Sequence, residues 1–482
     1  MGLRWEDWGE AAFARARATG RPLLLSLTAS WCGACHRMDE ETWDDPGVAA
    51  RVAAVAVPVR VDADARPDVY GRYHLGGLPT TALLTADGDF LRGGTFLSPT
   101  QLFGLLDAAA ADLRDGRRPA ARPRPAPAPG GPGSPPAARS PGALVDEVVA
   151  RLVHRADHEH GGFGGAPKHP EPDAVTLLLR EARRRPDASL ETIAREALAA
   201  IAQHLVDPED GAFFRYGAAE DWSGPHTEKV TLDQAALIRL FLEAEITLGE
   251  PEHGAVARRA LAHARAHLTD ASGRAYASIA AQPDVKVDTR RFADASAALA
   301  SAFLMAGAAP GESRAGAAGA SVPPLEFIAA APDGAVPHRL DGPDQAGPRG
   351  LLRDQALAIS AAVDAYRVTG DPALLAWAAR AADWTIAHRW DATAGAFLDA
   401  EPLAPARGSG LGQGAFTPIT GNGEMAQALL ALAEQAPPGD AITKRAHGWR
   451  DCATRAIISL SARAVRSPAG ATLALAAQRL RG

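Results

Sequence analysis

Residues Leu232 to Pro251 align without a gap on Arg353 to Pro372, and seven of the twenty positions are identical at an offset of 121 residues. The identities include Asp233/Asp354, Gln234/Gln355, Ala235/Ala356, Ile238/Ile359, Gly249/Gly370 and Pro251/Pro372. The correspondence runs on through the following segment, where His267 falls on His388 and Asp270 on Asp391. A turn pattern Asp-x-x-x-Gly-x-Phe also recurs at Asp157-Gly161-Phe163, Asp207-Gly211-Phe213 and Asp391-Gly395-Phe397. Ala-rich helices separated by such turns at a fixed period are stacked helical hairpins, each burying one face on its neighbours. If the repeat holds two hairpins, each takes about 60 residues, and the stretch from 143 to 482 holds roughly six. Twelve helices in six hairpins close into an (α/α)6 toroid, the architecture of many glycosidases and sugar epimerases, or continue as an open solenoid.

The first 113 residues read differently. Pro22 to Leu27 is a short apolar run that stops at Ala29-Ser30-Trp31-Cys32-Gly33-Ala34-Cys35-His36, with a helical segment from His36 to Val52 broken ahead of Pro46. Trp5 to Thr19 is expected as a helix, Val55 to Asp62 and Thr80 to Leu84 as strands, Phe90 to Thr95 as a hairpin partner, and Pro99 to Leu113 as a closing helix. That order fits an α/β thioredoxin fold. A thiol at a helix N-terminus meets unpaired N–H groups and the positive end of the dipole, which favours its thiolate. Cys32 is therefore expected to be the nucleophile and Cys35 the resolving thiol. Pro79, in Gly77-Leu78-Pro79-Thr80, precedes a strand where a cis proline would leave backbone free to pair with an extended substrate. Trp31 and Pro79 are the expected substrate-facing residues beside the cysteines.

Cys32-Gly33-Ala34-Cys35-His36 also satisfies the c-type haem attachment pattern, but the preceding strand and Pro79 belong to a thioredoxin. A zinc site would need a second cysteine pair, which three cysteines do not supply. No cofactor and no metal are expected. Cys452 lies by itself in a helical stretch and reads as core packing. Ser26 occupies the position where thioredoxins usually bury an aspartate. The balance of 57 acidic and 50 basic residues, with no long basic block, gives no footing for nucleic acid. The N-terminal residues have no apolar core of signal length, and no apolar run approaches membrane-spanning length. A cytoplasmic protein without membrane contact is the expectation.

Composition shifts between Asp115 and Gly142 to Pro, Ala, Arg, Gly and Ser, which reads as an extended linker. The expected organisation is a thioredoxin-like domain over 1–114, a linker over 115–142 and a helical toroid over 143–482. A second breaker-rich patch, Gly307 to Pro324, reads as a loop inside the toroid.

Further motifs narrow this. Gly161-Gly162-Phe163-Gly164-Gly165-Ala166-Pro167-Lys168-His169-Pro170, Phe214-Arg215-Tyr216, Asp221-Trp222 and Pro225-His226-Thr227-Glu228-Lys229 with Asp233 stand in the second half, and Cys32, Cys35, His36, Met38, Val61-Asp62, Arg66-Pro67-Asp68 and Pro79 in the first. Together they resemble the family of thioredoxin-like proteins fused to a helical toroid, which includes the spermatogenesis-associated thioredoxin-like protein and bacterial relatives. The resemblance implies a closed toroid rather than a solenoid. Gly33 and Ala34 replace the His-Trp that this family usually carries between its cysteines, and His169, Thr227 and Gln234 are further departures.

The polar groups around Pro225 make Arg215, Trp222, His226, Glu228, Lys229 and Asp233 a candidate ligand site. Asp157, Glu159, Asp221 and Asp354 are further candidate carboxylates for glycoside chemistry, and His267 and His388 candidate acid–base groups for epimerisation. Two functions follow as expectations. One is a thiol–disulfide oxidoreductase acting on protein thiols or disulfides, and the other is a carbohydrate-active toroid with a regulatory or vestigial thioredoxin domain.

Overall fold

The computed structural model describes residues 3–115, 138–281, 286–307, 323–342, 347–401, 416–436 and 441–481. Most of the expected linker and of the Gly307–Pro324 patch lies outside these residues. The chain divides into two compact units, Met1–Gly131 with Ala400–Phe416, and Pro132–Asp399 with Thr417–Gly482.

The first unit is built on a four-stranded sheet of order β2-β1-β3-β4, with β1 Leu23–Thr28, β2 Val57–Asp62, β3 Thr80–Leu84 and β4 Phe90–Gly94. β1 pairs parallel with β2 and antiparallel with β3, and β3 pairs antiparallel with β4. The apolar run of β1, interrupted only by buried Ser26, is explained by burial on both faces. Leu23, Leu25 and Leu27 pack with Phe13, Val59 and Tyr73 on one side, while Leu24 packs with Met38, Val52, Leu83 and Leu106 on the other. Helices α1 Glu10–Thr19, α2 Gly33–Met38, α3 Pro46–Val55, α4 Pro67–Tyr73 and α5 Pro99–Arg114 cover the sheet, and Asp39–Trp43 continues α2 as a π-helical turn. The helix expected from Trp5 begins only at Glu10. The Glu6 N–H instead donates to the Pro58 carbonyl at 2.9 Å and the Glu6 carbonyl accepts from Arg60, so this segment covers the outer edge of β2. Pro58, which cannot donate, is tolerated because β2 is an edge strand.

In the second unit, α7 Pro172–Arg184, α9 Thr231–Leu248, α11 Ala293–Gly307, α13 Leu352–Thr369, α15 Ile419–Glu434 and α17 Gly470–Arg479 form an inner ring. Each packs on the next, and α17 returns to pack on α7. That return contact closes the ring and excludes the open solenoid. Outside it lie α6 Pro141–Arg155, α8 Ala188–His204, α10 Pro251–His267, α14 Pro372–Arg389 and α16 Ala441–Ala464, with the short α12 Glu326–Ala330 between α11 and α13. The high alanine content follows from the packing, since inner helices touched on every side leave little room for long side chains.

The repeat has a physical cause. Gln234, Gln355 and Asn422 are each the fourth residue of an inner helix. Gln234 accepts from the Phe213 N–H at 2.9 Å and donates to the Phe213 carbonyl at 2.6 Å. Asn422 holds Phe397 in the same way, at 2.7 and 2.9 Å. Gln355 accepts from the Val336 N–H at 2.7 Å and donates to the Gly334 carbonyl and Thr385 Oγ1 at 2.8 Å each. A buried amide thus ties each of these helices to the turn before it. The recurring turns themselves are closed by an aspartate that accepts from N–H groups two or three residues on, with Gly211 and Gly395 at φ +78° and +61°. Replacing Gln355 by Leu leaves a buried N–H and a buried carbonyl without partners. It is expected to cost about 2–4 kcal/mol, read as a fall in the urea midpoint of the second unit; an unchanged midpoint would remove the amide from the list of things holding the ring together.

Candidate functional site

In the first unit Cys32 and Cys35 are joined as a disulfide with Cα atoms 5.2 Å apart. Cys32 is the N-cap of α2, with its Sγ accepting from the Cys35 N–H at 3.2 Å and its carbonyl accepting from Cys35 and His36 N–H. This is the environment that favours a thiolate. Cys32 and Cys35 are 4% and 2% exposed, whereas Gly33 and His36 beside them are exposed. The Trp31 indole N–H donates to Asp64 Oδ2 at 2.8 Å, and Asp64 is set by a turn in which Asp62 Oδ1 accepts from the Asp64 and Ala65 N–H groups. The Leu78–Pro79 bond is cis. Because Thr80 pairs with Leu27, Pro79 lies at the end of the sheet from which the cysteine loop leaves. Ser26 is buried within β1.

In the second unit, four of the six candidate residues around Pro225 come together. Arg215 Nε donates to Asp233 Oδ2 at 2.8 Å, and His226 Nδ1 lies 3.7 Å from Glu228 Oε1. The His226 ring stacks on Tyr216 at 4.2 Å, and Tyr216 meets His169 at 4.6 Å. Burial works against the Arg215 charge, but Asp233 outweighs it and its pKa is raised. Burial likewise acts to raise Glu228, and His226 with the Glu228 backbone N–H brings it below the ordinary carboxylate value.

The other two stand apart. Trp222 is 1% exposed, and its indole N–H donates to the His160 carbonyl at 2.9 Å, so it is a core plug with no face for a ligand. Lys229 reaches away to Asp207 at 2.8 Å and to Asp210, which also meets His263. The conspicuous Lys168 is likewise structural, being fully buried against Asp157 and the Gly164 carbonyl. Burial tends to raise the Asp157 pKa, yet hydrogen bonds from Lys168 and two backbone N–H groups hold it at about 2. Of the remaining candidates, His267 and His388 are exposed on the outer helices α10 and α14.

A 420 Å³ cavity runs between the inner helices and contains groups that sequence reasoning did not single out. Arg353 Nε donates to Glu424 Oε1 at 3.2 Å, and Glu424 Oε2 has no hydrogen-bond partner among the described residues. Arg353 keeps 44% and Glu424 15% of its side-chain surface open, facing the cavity. Burial pushes the Glu424 carboxyl up to about 7 against the pull of Arg353. Asp233 also acts on Arg353, which links the Arg215 cluster to this end of the cavity. Behind it, His338 Nδ1 lies 3.0 Å from both oxygens of Asp354, and with Asp294 these form a buried set whose ligand atoms all lie within 4.8 Å of one another. Such a set has the composition to hold a divalent cation. The His338–Asp354 hydrogen bonds account for two of its three members without one.

Comparison with known proteins now bears on both units. Residues 2–110 match the family model Thioredox_DsbH, described as a protein of unknown function, DUF255. The chain is 27% identical over 307 residues to human spermatogenesis-associated protein 20, an alignment covering 57% of this chain and 38% of that protein. It is 35% identical over 104 residues to thiol:disulfide interchange protein DsbD 1 of Pseudomonas aeruginosa, covering 21% and 16%. A sugar epimerase from a ruminal bacterium superposes with a TM-score of 0.52 at 13% identity, over 65% of this chain and 85% of that one. Cellobiose 2-epimerase from Spirochaeta thermophila gives 0.52 at 15% identity, over 66% and 84%. The chain is a thioredoxin-like domain followed by an (α/α)6 toroid. It spans well under half the length of the curated relatives it matches. No described helix of this thioredoxin-like toroid protein is long and apolar enough to cross a membrane.

The raised Glu424 makes a signed prediction. Its carboxyl in the folded toroid titrates near 7 against 4.5 in the unfolded chain. The folded state therefore holds the extra proton, and wild-type stability is lost as pH rises from 4.5 to 7. Glu424→Gln removes that loss, so the variant is expected to match wild type at pH 4 and exceed it at pH 8 by about 2–4 kcal/mol. Urea unfolding of both proteins at the two pH values reads it, and a variant no more stable than wild type at pH 8 would contradict the raised carboxyl.

Proposed function

We propose that the chain is a thiol–disulfide oxidoreductase acting on protein thiols or disulfides, with Cys32 as nucleophile and Cys35 as resolving thiol. The observation that carries this is the Cys32–Cys35 pair capping α2 directly after β1, with an N–H donated to the Cys32 sulfur. The thioredoxin-like match over residues 2–110 and the similarity to a thiol:disulfide interchange protein support the same reading.

In the reduced form the Cys32 thiolate attacks one sulfur of a client disulfide, forming a mixed disulfide and releasing the other client sulfur as a thiolate. Cys35, after losing its proton, attacks Cys32 Sγ, releases the second client thiolate and closes the Cys32–Cys35 disulfide. Two electrons pass to the client, and an external dithiol returns the pair to the reduced state. Buried Ser26 offers no carboxylate base, so the Cys35 proton leaves to water or to the exposed His36. Trp31, held by Asp64, and Pro79, at the same end of the sheet, are the surface against which an extended client lies. The reading assumes a cytoplasmic setting, where glutathione or thioredoxin systems supply reducing equivalents.

Disulfide reduction with dithiothreitol as electron donor tests this. Cys32→Ser is expected to abolish turnover and to trap nothing, and Cys35→Ser to accumulate mixed disulfides that dithiothreitol releases. Alkylation should label Cys32 ahead of Cys35. A pair that resists reduction, or a Cys35→Ser variant that captures no client, would overturn the oxidoreductase.

A further inference from the structure

One arginine of the toroid cavity has no carboxylate partner of its own, and the further lining carboxylate, Asp173, accepts from Thr472 Oγ1 instead. Five arginines line the cavity, and four have a carboxylate partner. Arg180 grips Glu243 through two bonds of 2.8 and 3.1 Å, Arg353 meets Glu424, Arg367 meets Asp364 at 3.3 Å, and Arg479 meets Glu434 at 2.7 Å. Arg239 has no hydrogen bond or ion pair among the described residues. Glu243, one turn further along α9, feels the Arg239 charge, but both of its oxygens are already bound by Arg180. Glu424 Oε2 lacks a hydrogen-bond partner among the described residues.

Position along the helices adds to this. Arg239, Ser360 and Gln427 each stand eight residues beyond the first residue of α9, α13 and α15, so each lies about 12 Å along its helix from that end. A guanidinium, a hydroxyl and a carboxamide therefore share one depth of the cavity wall, on three different helices and with the Gln427 amide already donating to the Thr472 carbonyl, while Arg353 and Glu424 stand nearer the helix starts. A guanidinium fork is matched by the oxygens of a carboxylate or a phosphate. The unpartnered Glu424 oxygen and the spare Arg353 N–H groups are matched by hydroxyls. A volume of 420 Å³ lies in the range of small-molecule sites, about 300–1,000 Å³.

We propose that the toroid cavity binds an anionic sugar, a monosaccharide bearing a phosphate or a carboxylate, whose anion sits on Arg239 and whose hydroxyls reach Glu424 and Arg353. This site is independent of the cysteine chemistry, and either reading stands if the other fails.

Isothermal titration calorimetry of the full chain with glucose 6-phosphate, glucuronate and glucose tests it. At least one of the two anionic sugars should bind, more tightly than glucose, and which one binds identifies the anion as phosphate or carboxylate. Arg239→Gln should weaken that binding about ten- to hundredfold. Arg239→Lys, which keeps the charge and loses the fork, should fall between the two and serves if the glutamine variant does not fold. Failure of both anionic sugars to bind at millimolar concentration, glucose binding as tightly as they do, or undiminished binding by an Arg239 variant would each overturn the proposal.

Discussion

Three of the six inner helices of the closed ring depend on one recurring contact, the carboxamide at the fourth position of the helix that holds the backbone of the turn before it. Buried turn backbone cannot reach water, and leaving one N–H and one carbonyl unpaired costs about 1–3 kcal/mol each. Gln234, Gln355 and Asn422 meet that requirement at three places around the ring. Each also sets where its inner helix begins relative to the outer helix before it, which determines the residues that turn toward the axis. Asp233 and Asp354 precede these amides by one residue, and Glu424 follows one by two. The groups at the helix starts are thus placed by the same device that closes the turns.

That device was visible in the sequence, as the Asp-Gln-Ala match between the two repeats, and it carried the toroid. The thioredoxin-like unit was equally legible, because its chemistry lies in contiguous residues. A Cys-x-x-Cys after an apolar run, and a proline ahead of a strand, need no knowledge of distant packing. The cavity was not legible for the opposite reason. Arg353 and Glu424 meet across 71 residues of sequence, and each looks like a solvated helix residue when its own segment is read separately. Periodicity separates apolar from polar faces, but it does not tell a polar face on the outside of the ring from one turned to its central cavity. A faint signal for Glu424 exists in Gly421-Asn422-Gly423-Glu424-Met425, a charge set among small residues that pack at close range, with Gly423 close against the Thr472 backbone.

Four of the six residues grouped around Pro225 come together and two stand apart, for a plain geometric reason. In extended chain, successive side chains point to opposite sides. Glu228 turns to His226, whereas Lys229 turns to Asp207 and Asp210. Trp222 stands beside polar residues in the sequence, yet its large ring fills the gap over Lys168 and is buried there. Proximity in sequence identified the neighbourhood but not the direction of each side chain.

The two sites use opposite electrostatic means. Around the cysteines, short-range backbone donors favour a charge on sulfur at little cost, since the N–H groups of a helix start are unpaired in any case. In the toroid cavity, burial disfavours charge and raises the Glu424 carboxyl, while Arg239, also in the lining, has no hydrogen bond or ion pair among the described residues. A fold held by alanine packing and buried amides has no need of five arginines around its axis. Four of them are matched by carboxylates, and Arg239, without a partner among the described residues, is the group that the proposed anion would meet.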